Sequence, residues 1–387
     1  MEKKYWIHLL LFVLTFITAT LAGAEWISGK AILNNFDWIS GGQIKESDKL
    51  SLNDILRGVQ YAIPFLAFLT FHEFGHYFMA KFRKIEVTLP YYLPAWFGVL
   101  LSIGTFGAFI RIKDVIKIKK DYFDIAIAGP LAGFAVAVFC LAIGFSQIKS
   151  DEFIYTIHPE YKKINGDYRV KLNELKENPG AIVLGESMLY TFVKDTFGDK
   201  KHIPHPYETT HYPLILAGFL GLLFTAINLL PIGQLDGGHI LFSMIGKKNF
   251  DIVSPVFLVC LTAYGGLGIY KPTDLQSASQ DELLSFLLYF GMYVYFMYLT
   301  FSKIFTQRLN GLILALGIVF FQLLISYIYP QVVGYSGILA FAFLIGRFLG
   351  VYHPGVEDDH KLDPVRFGLG ILAMVIFIAC ISLHPIS

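Results

Sequence analysis

Residues 71–80 read FHEFGHYFMA, and they follow the apolar run YAIPFLAFLT at 61–70. Two histidines and a glutamate are costly in a greasy helix, and ionisable residues placed there usually serve a function. His72, Glu73 and His76 spell HExxH. On a helix, positions i and i+4 share a face, so both imidazoles can reach one metal ion. Glu73 then projects beside the metal, where it can take a proton from water. Zinc suits this set, with its imidazole ligands, tetrahedral geometry and open fourth position. With 11 histidines in 387 residues, chance gives roughly 0.01 such motifs per chain, so coincidence is a weak rival.

Outward from this helix the chain stays apolar. It is 55% hydrophobic, 16% aromatic and 16% charged, with mean hydropathy +0.56. Runs of about 20 apolar residues, enough to cross a bilayer, recur along its length. The expected fold is an all-α polytopic membrane protein of about nine transmembrane helices, near 5–23, 58–82, 122–146, 213–246, 253–270, 283–304, 310–329, 334–350 and 366–385. The first reads as an uncleaved helix, since its apolar run is longer than a signal peptide's. The net charge of +1 leaves no basic footprint for nucleic acid. Cys140, Cys260 and Cys380 lie far apart in apolar runs and read as small hydrophobes. No internal repeat is evident, which counts against a duplicated transporter.

Two stretches depart from simple spans. Residues 90–110, PYYLPAWFGVLLSIGTFGAFI, are apolar but broken by Pro90, Pro94, Gly98, Gly104 and Gly107. A re-entrant loop or short β-hairpin dipping into the membrane fits better than a helix. The stretch 213–246 is too long for one straight span, and Pro231 predicts a break in it. Residues 147–212 are polar and of mixed charge, which predicts a small extramembrane loop. Basic clusters at Lys3 and Lys4, 81–84, 111–120 and Lys247 and Lys248 fall on one side of a nine-helix arrangement. The positive-inside rule makes that side cytoplasmic, and it places residues 71–80 near it. No organelle-targeting segment precedes the first span, so a bacterial inner membrane is the expected location.

Catalytic zinc sites usually have three protein ligands. The third candidate lies in NLLPIGQLDGGHI, residues 228–240. Asp236 is the one acidic residue of the 213–246 stretch, and His239 is a rival ligand of suitable chemistry.

HExxH in one span followed by NxxPxxxLDGG in a later one resembles the signature pair of the site-2 protease family, the zinc intramembrane metalloproteases. The resemblance covers roughly residues 58–246. It implies one Zn2+ per chain held by His72, His76 and Asp236, Glu73 as general base, and His239 as a neighbour. It also implies that Asn228 and Pro231 help hold the substrate backbone. GTFGAFIRI, with Gly104 and Gly107, resembles the family's membrane-dipping β-loop, whose edge could pair with an unwound substrate. FDIAIAGPLAGF (123–134) looks like the third core span. Without a PDZ-sized insertion, and with LGESMLY at 184–190, the chain resembles the subgroup lacking that domain in bacteria and chloroplasts.

The organisation expected is a first helix and outer loop (1–57), a metalloprotease core (58–246) and additional C-terminal helices (247–387). The expected partners are a transmembrane protein substrate and the lipid bilayer. Rival readings are a catalytically inactive protein that binds transmembrane partners, a transporter, and a CAAX-type protease with a glutamate ligand. His353, Asp358, Asp359 and His360 form a polar connector, read as solvated rather than as a second metal site.

Overall fold

The computed structural model describes residues 5–30, 50–98, 102–164, 166–174, 182–275 and 280–386. The expected outer loop after the first helix, and the middle of the 90–110 stretch, fall partly outside these. The chain divides into two compact units. One comprises residues 1–116, 127–227 and 375–387, and the other residues 117–126 and 228–374. Four described helices are long and apolar enough to cross a membrane: Tyr5–Ser28, Lys119–Gln147, Glu282–Phe301 and Arg308–Ile328. Three shorter apolar helices accompany them.

The first unit opens with α1 (Tyr5–Ser28) and α2 (Leu52–Phe82). A capping box starts α2: Asp54 N–H donates to Ser51 Oγ, and Ser51 N–H donates back to the Asp54 carboxylate at 2.8 Å, which satisfies two end donors at once. The two helices approach closely because small residues meet between them. A β-carbon at Gly58 would stand 2.1 Å from the Thr20 carbonyl oxygen, and one at Gly23 2.4 Å from the Tyr61 ring. Small residues let apolar helices gain dispersion contacts that lipid would otherwise supply.

Among the described residues of the 90–110 stretch, none is helical. The stretch forms an antiparallel pair, β1 (Tyr91–Ala95) and β2 (Gly104–Phe109), with Tyr91 opposite Phe109 and Ala95 opposite Gly104. The register shifts between Tyr92 and Pro94, a bulge that accommodates a residue unable to donate to the ladder. The hairpin is tied to α1 by Thr18 Oγ1 donating to the Gly104 carbonyl at 2.7 Å and Trp26 Nε1 donating to Ser102 at 2.9 Å. Thr70 on α2 meets the Tyr92 hydroxyl at 2.8 Å.

The unit continues through α3 (Lys119–Gln147), of which residues 127–147 belong here, and α7 (Pro213–Asn228). Gly218 and Gly221 of α7 abut Leu141 and Ala137 of α3. Phe65 and Phe68 of α2 meet Phe224 edge-on at 5.9 and 6.4 Å. Between α3 and α7, the expected polar loop is a small helical subdomain: α4 (Glu152–Ile157), α5 (Tyr168–Glu174), α6 (Met188–Phe197) and two 3-10 turns, Pro159–Lys163 and Pro206–His211. One apolar cluster of it has Ile154, Tyr168 and Leu172 buried among a few aromatic rings.

The long stretch 213–246 does break near Pro231. Helix α7 stops at Asn228 and α8 (Asp236–Gly265) starts at Asp236. Helix α8 is itself interrupted at Gly246, whose φ of 75° is left-handed; only glycine adopts that conformation without strain. In the second unit, α8 packs with α9 (Gln280–Phe301), α10 (Arg308–Ile328) and α11 (Gly337–Leu344) around Leu258, Met297, Phe301, Ala315 and Ile345. Gln322 inside this cluster is satisfied by the Tyr293 hydroxyl and the Thr262 carbonyl. Helix α12 (Pro364–Cys380) is joined to the first turns of α3 by Arg366, which grips the Asp124 carboxylate at 2.8 and 2.9 Å.

Candidate active site

The site is built on the middle of α2. His72, Glu73 and His76 are 4%, 6% and 7% exposed. The Nε2 atoms of His72 and His76 converge to 3.1 Å, as the i, i+4 spacing predicts. Zinc–imidazole bonds of about 2.0–2.1 Å put tetrahedral ligand atoms about 3.3–3.4 Å apart, so the pair fits one such ion.

The space at these nitrogens is kept open by glycine. A β-carbon at Gly129 of α3 would lie 2.1 Å from Nε2 of His76, and one at Gly133 3.1 Å from the His72 β-carbon. On the other side, a β-carbon at Gly75 would strike the Ala128 carbonyl oxygen at 2.5 Å. Helices α2 and α3 therefore meet backbone to backbone at the motif. Gly129 and Gly133 were not among the candidate site residues read from the sequence. Their i, i+4 spacing in AGPLAG was the available signal, since it puts two side-chain-free positions on one helix face.

The other candidates are placed as follows. Gly104 (φ 85°) is pressed against α1, where a β-carbon would stand 2.2 Å from the Ala19 Cα. Close packing thus accounts for this glycine. Gly107 also has positive φ, at 103°, but has only the Phe224 ring near it, at 3.9 Å. Phe106 between them is exposed.

Asn228 and Pro231 lie at the end of α7 and in the turn after it, within the second unit. That turn is held by Gly233 N–H donating to Ser254 Oγ at 2.9 Å, while Ser254 donates to the Val351 carbonyl at 2.6 Å. Asp236 is the first residue of α8. Gly237 and Gly238 let the turn fold back on that helix, since β-carbons there would meet the Leu229 and Gly233 carbonyl oxygens at 2.0 and 2.4 Å.

His239 is engaged elsewhere. Its Nδ1 lies 2.9 Å from Nε2 of His353, and its ring stacks on Tyr122. His353 is 1% exposed and stacks on Phe242 at 3.6 Å. The connector 353–366 is therefore not solvated throughout: its first histidine is a core residue, while His360 is exposed.

A buried HExxH helix in a chain with bilayer-length apolar helices defines a membrane metallopeptidase class. The chain belongs to peptidase family M50, the site-2 protease family, whose profile matches residues 60–264. It is 30% identical over 269 residues to the probable zinc metalloprotease EGY1, chloroplastic, of Oryza sativa subsp. japonica, covering 69% of this chain and 41% of that one. It is 30% identical over 260 residues to the probable zinc metalloprotease EGY2, chloroplastic, of Oryza sativa subsp. indica, covering 65% and 41%. The EGY1 protein of Arabidopsis thaliana is 31% identical over 183 residues, covering 47% and 29%. The chain thus spans about two fifths of the length of the first two relatives. No solved structure matches. The long apolar helices make this a membrane protein; the chloroplastic relatives lend no support to the expected bacterial inner membrane.

Proposed function

We propose that this chain is an intramembrane zinc metalloprotease that hydrolyses peptide bonds within or near transmembrane segments of other membrane proteins. The observation that carries it is the convergence of the His72 and His76 Nε2 atoms at 3.1 Å on a buried helix, with Glu73 as their neighbour. Membership of family M50 and zinc metalloprotease relatives support the same reading.

In this reading His72, His76 and Asp236 hold the ion. A zinc ion bound there supplies Lewis acidity, which polarises a carbonyl and makes water acidic at neutral pH. Glu73 takes the proton from the attacking water and passes it to the leaving amine. Burial of the motif excludes bulk water, so charge on Glu73 acts over a low-dielectric path. A substrate helix hides its carbonyls in internal hydrogen bonds and must unwind first. The hairpin of β1 and β2, with Gly107 and the exposed Phe106, offers an extended backbone for pairing, and Asn228 and Pro231 line the receiving side. The arrangement is of nine spans, the hairpin dips into the membrane, and the motif faces the positively charged side. The core is 58–246, with 1–57 and 247–387 as additions.

The test uses detergent-purified full chain and a set of single-span peptides. Wild type should cleave at least one of them. Glu73→Gln should lower cleavage about 10²–10⁴-fold while keeping its zinc. Cleavage unchanged in Glu73→Gln would overturn the reading.

A further inference from the structure

Within the extramembrane subdomain, His158, Glu208 and His211 converge, although 50 residues of sequence separate the first from the others. His158 Nε2 lies 3.4 Å from His211 Nε2 and 3.3 Å from Glu208 Oε2, and His211 Nε2 lies 3.4 Å from the same oxygen. Glu208 and His211 share a face because the 3-10 turn Pro206–His211 eclipses positions i and i+3.

The outer nitrogens fix what these atoms are. His211 Nδ1 sits 2.6 Å from the Ile27 carbonyl oxygen, which can only accept, so that nitrogen carries the proton. His158 Nδ1 sits 2.9 Å from the Glu160 carboxylate and is a donor for the same reason. In neutral imidazole the two Nε2 atoms are then lone pairs. Glu208 Oε1 accepts the Tyr161 hydroxyl at 2.7 Å, whereas the buried Oε2 takes no hydrogen bond in a residue 3% exposed. Three acceptor atoms face one another with no proton between them. A buried carboxylate oxygen without a donor costs free energy that a cation would recover.

The spacing selects the cation. Tetrahedral zinc with bonds of about 2.0–2.2 Å sets its ligand atoms about 3.3–3.5 Å apart, and two imidazoles with one carboxylate are zinc donors. The two Nδ1 contacts orient the rings as the hydrogen bonds behind metal-bound histidines do. His158 is partly exposed, which leaves an entry path and room for water as a fourth ligand.

We propose that His158, Glu208 and His211 hold a second zinc ion, which fastens the extramembrane subdomain to the end of α1 through the Ile27 carbonyl. Among the described residues, the apolar cluster beside the trio centres on Ile154, Tyr168 and Leu172, and small units are commonly stapled by a metal. This assignment is independent of the α2 site.

Zinc per chain decides it, measured on full-length protein exposed to zinc and then gel-filtered. Wild type should carry two ions. The double variant His72→Ala/His76→Ala should keep one, and it should lose that one when His158→Ala is added. Cobalt in place of zinc in the double variant should give the visible absorption of a tetrahedral site, absent in its Glu208→Gln derivative. Chelator should speed proteolysis between 147 and 212. If the double variant binds neither zinc nor cobalt, the proposal is wrong and the trio is a protonated histidine–carboxylate cluster. That result holds whether or not the His158 and Glu208 variants fold. One ion in wild type that persists in the double variant would keep this proposal and sink the zinc reading of α2.

Discussion

Gly129 of α3 rests against His76 of α2, and a β-carbon there would stand 2.1 Å from the Nε2 atom that faces His72. Nothing larger than hydrogen fits at this position without moving the imidazole. Gly129→Ala is therefore expected to displace His76 and lower peptide cleavage about 10²-fold, the scale of a 1 Å misplacement at a reacting centre. Zinc titration of the variant should weaken in parallel while circular dichroism stays at wild-type helix content. Unchanged zinc affinity would mean that α2 and α3 separate easily here.

The proposed third ligand, Asp236, is the next exposed point. Asp236→Ala should weaken zinc by more than the about 10–100-fold seen when only a hydrogen bond to a ligand is removed. His239→Ala should leave zinc bound, because that ring is occupied by His353 and Tyr122. Its effect is on stability, about 1–3 kcal/mol, from leaving buried His353 short of a partner. Zinc lost in His239→Ala and kept in Asp236→Ala would reverse the assignment.

The approach of α1 to α2 makes a prediction about folding. Gly58→Leu places atoms where the Thr20 carbonyl oxygen stands. Overpacking of this kind costs about 1–3 kcal/mol, read as a lower thermal midpoint in detergent. Substitution of Gly317, which has open space around its β-carbon position, should have little effect and serves as the control.

Acid should loosen the small subdomain of α4, α5 and α6. Burial alone would raise the Asp151 pKa, but hydrogen bonds and charge from Arg169, with His202 behind, outweigh it and hold this carboxyl below its ordinary value of 3.8. Arg169 Nη1 donates to Asp151 at 3.1 Å, and its Nε fixes the Ile203 carbonyl at 2.7 Å. A depressed carboxyl stabilises the fold fully above its unfolded pKa, and that contribution is lost as pH falls through the lower folded value. Digestion within 147–212 by an acid-active protease should rise as pH drops below about 4. Arg169→Gln should be cut faster already at higher pH. A flat wild-type profile would contradict the coupling.

The sequence by itself determined much of the local structure. HExxH on an apolar run sets a helix with both imidazoles on one face, because helical periodicity alone brings i and i+4 together. Prolines and glycines at 90–110 disfavour a helix, and Pro231 breaks the 213–246 stretch, because ring geometry and missing donors act within a few residues. Tertiary structure decided what depends on distant surfaces. Gly129 meets the HExxH motif only because α3 lies against His76, and Gly104 is a packing residue because α1 lies on it. His239 and His353 are 114 residues apart in the chain, and His158 and His211 are 53 apart. No periodicity encodes such meetings, since they arise when the packing of apolar faces fixes where polar side chains must find partners.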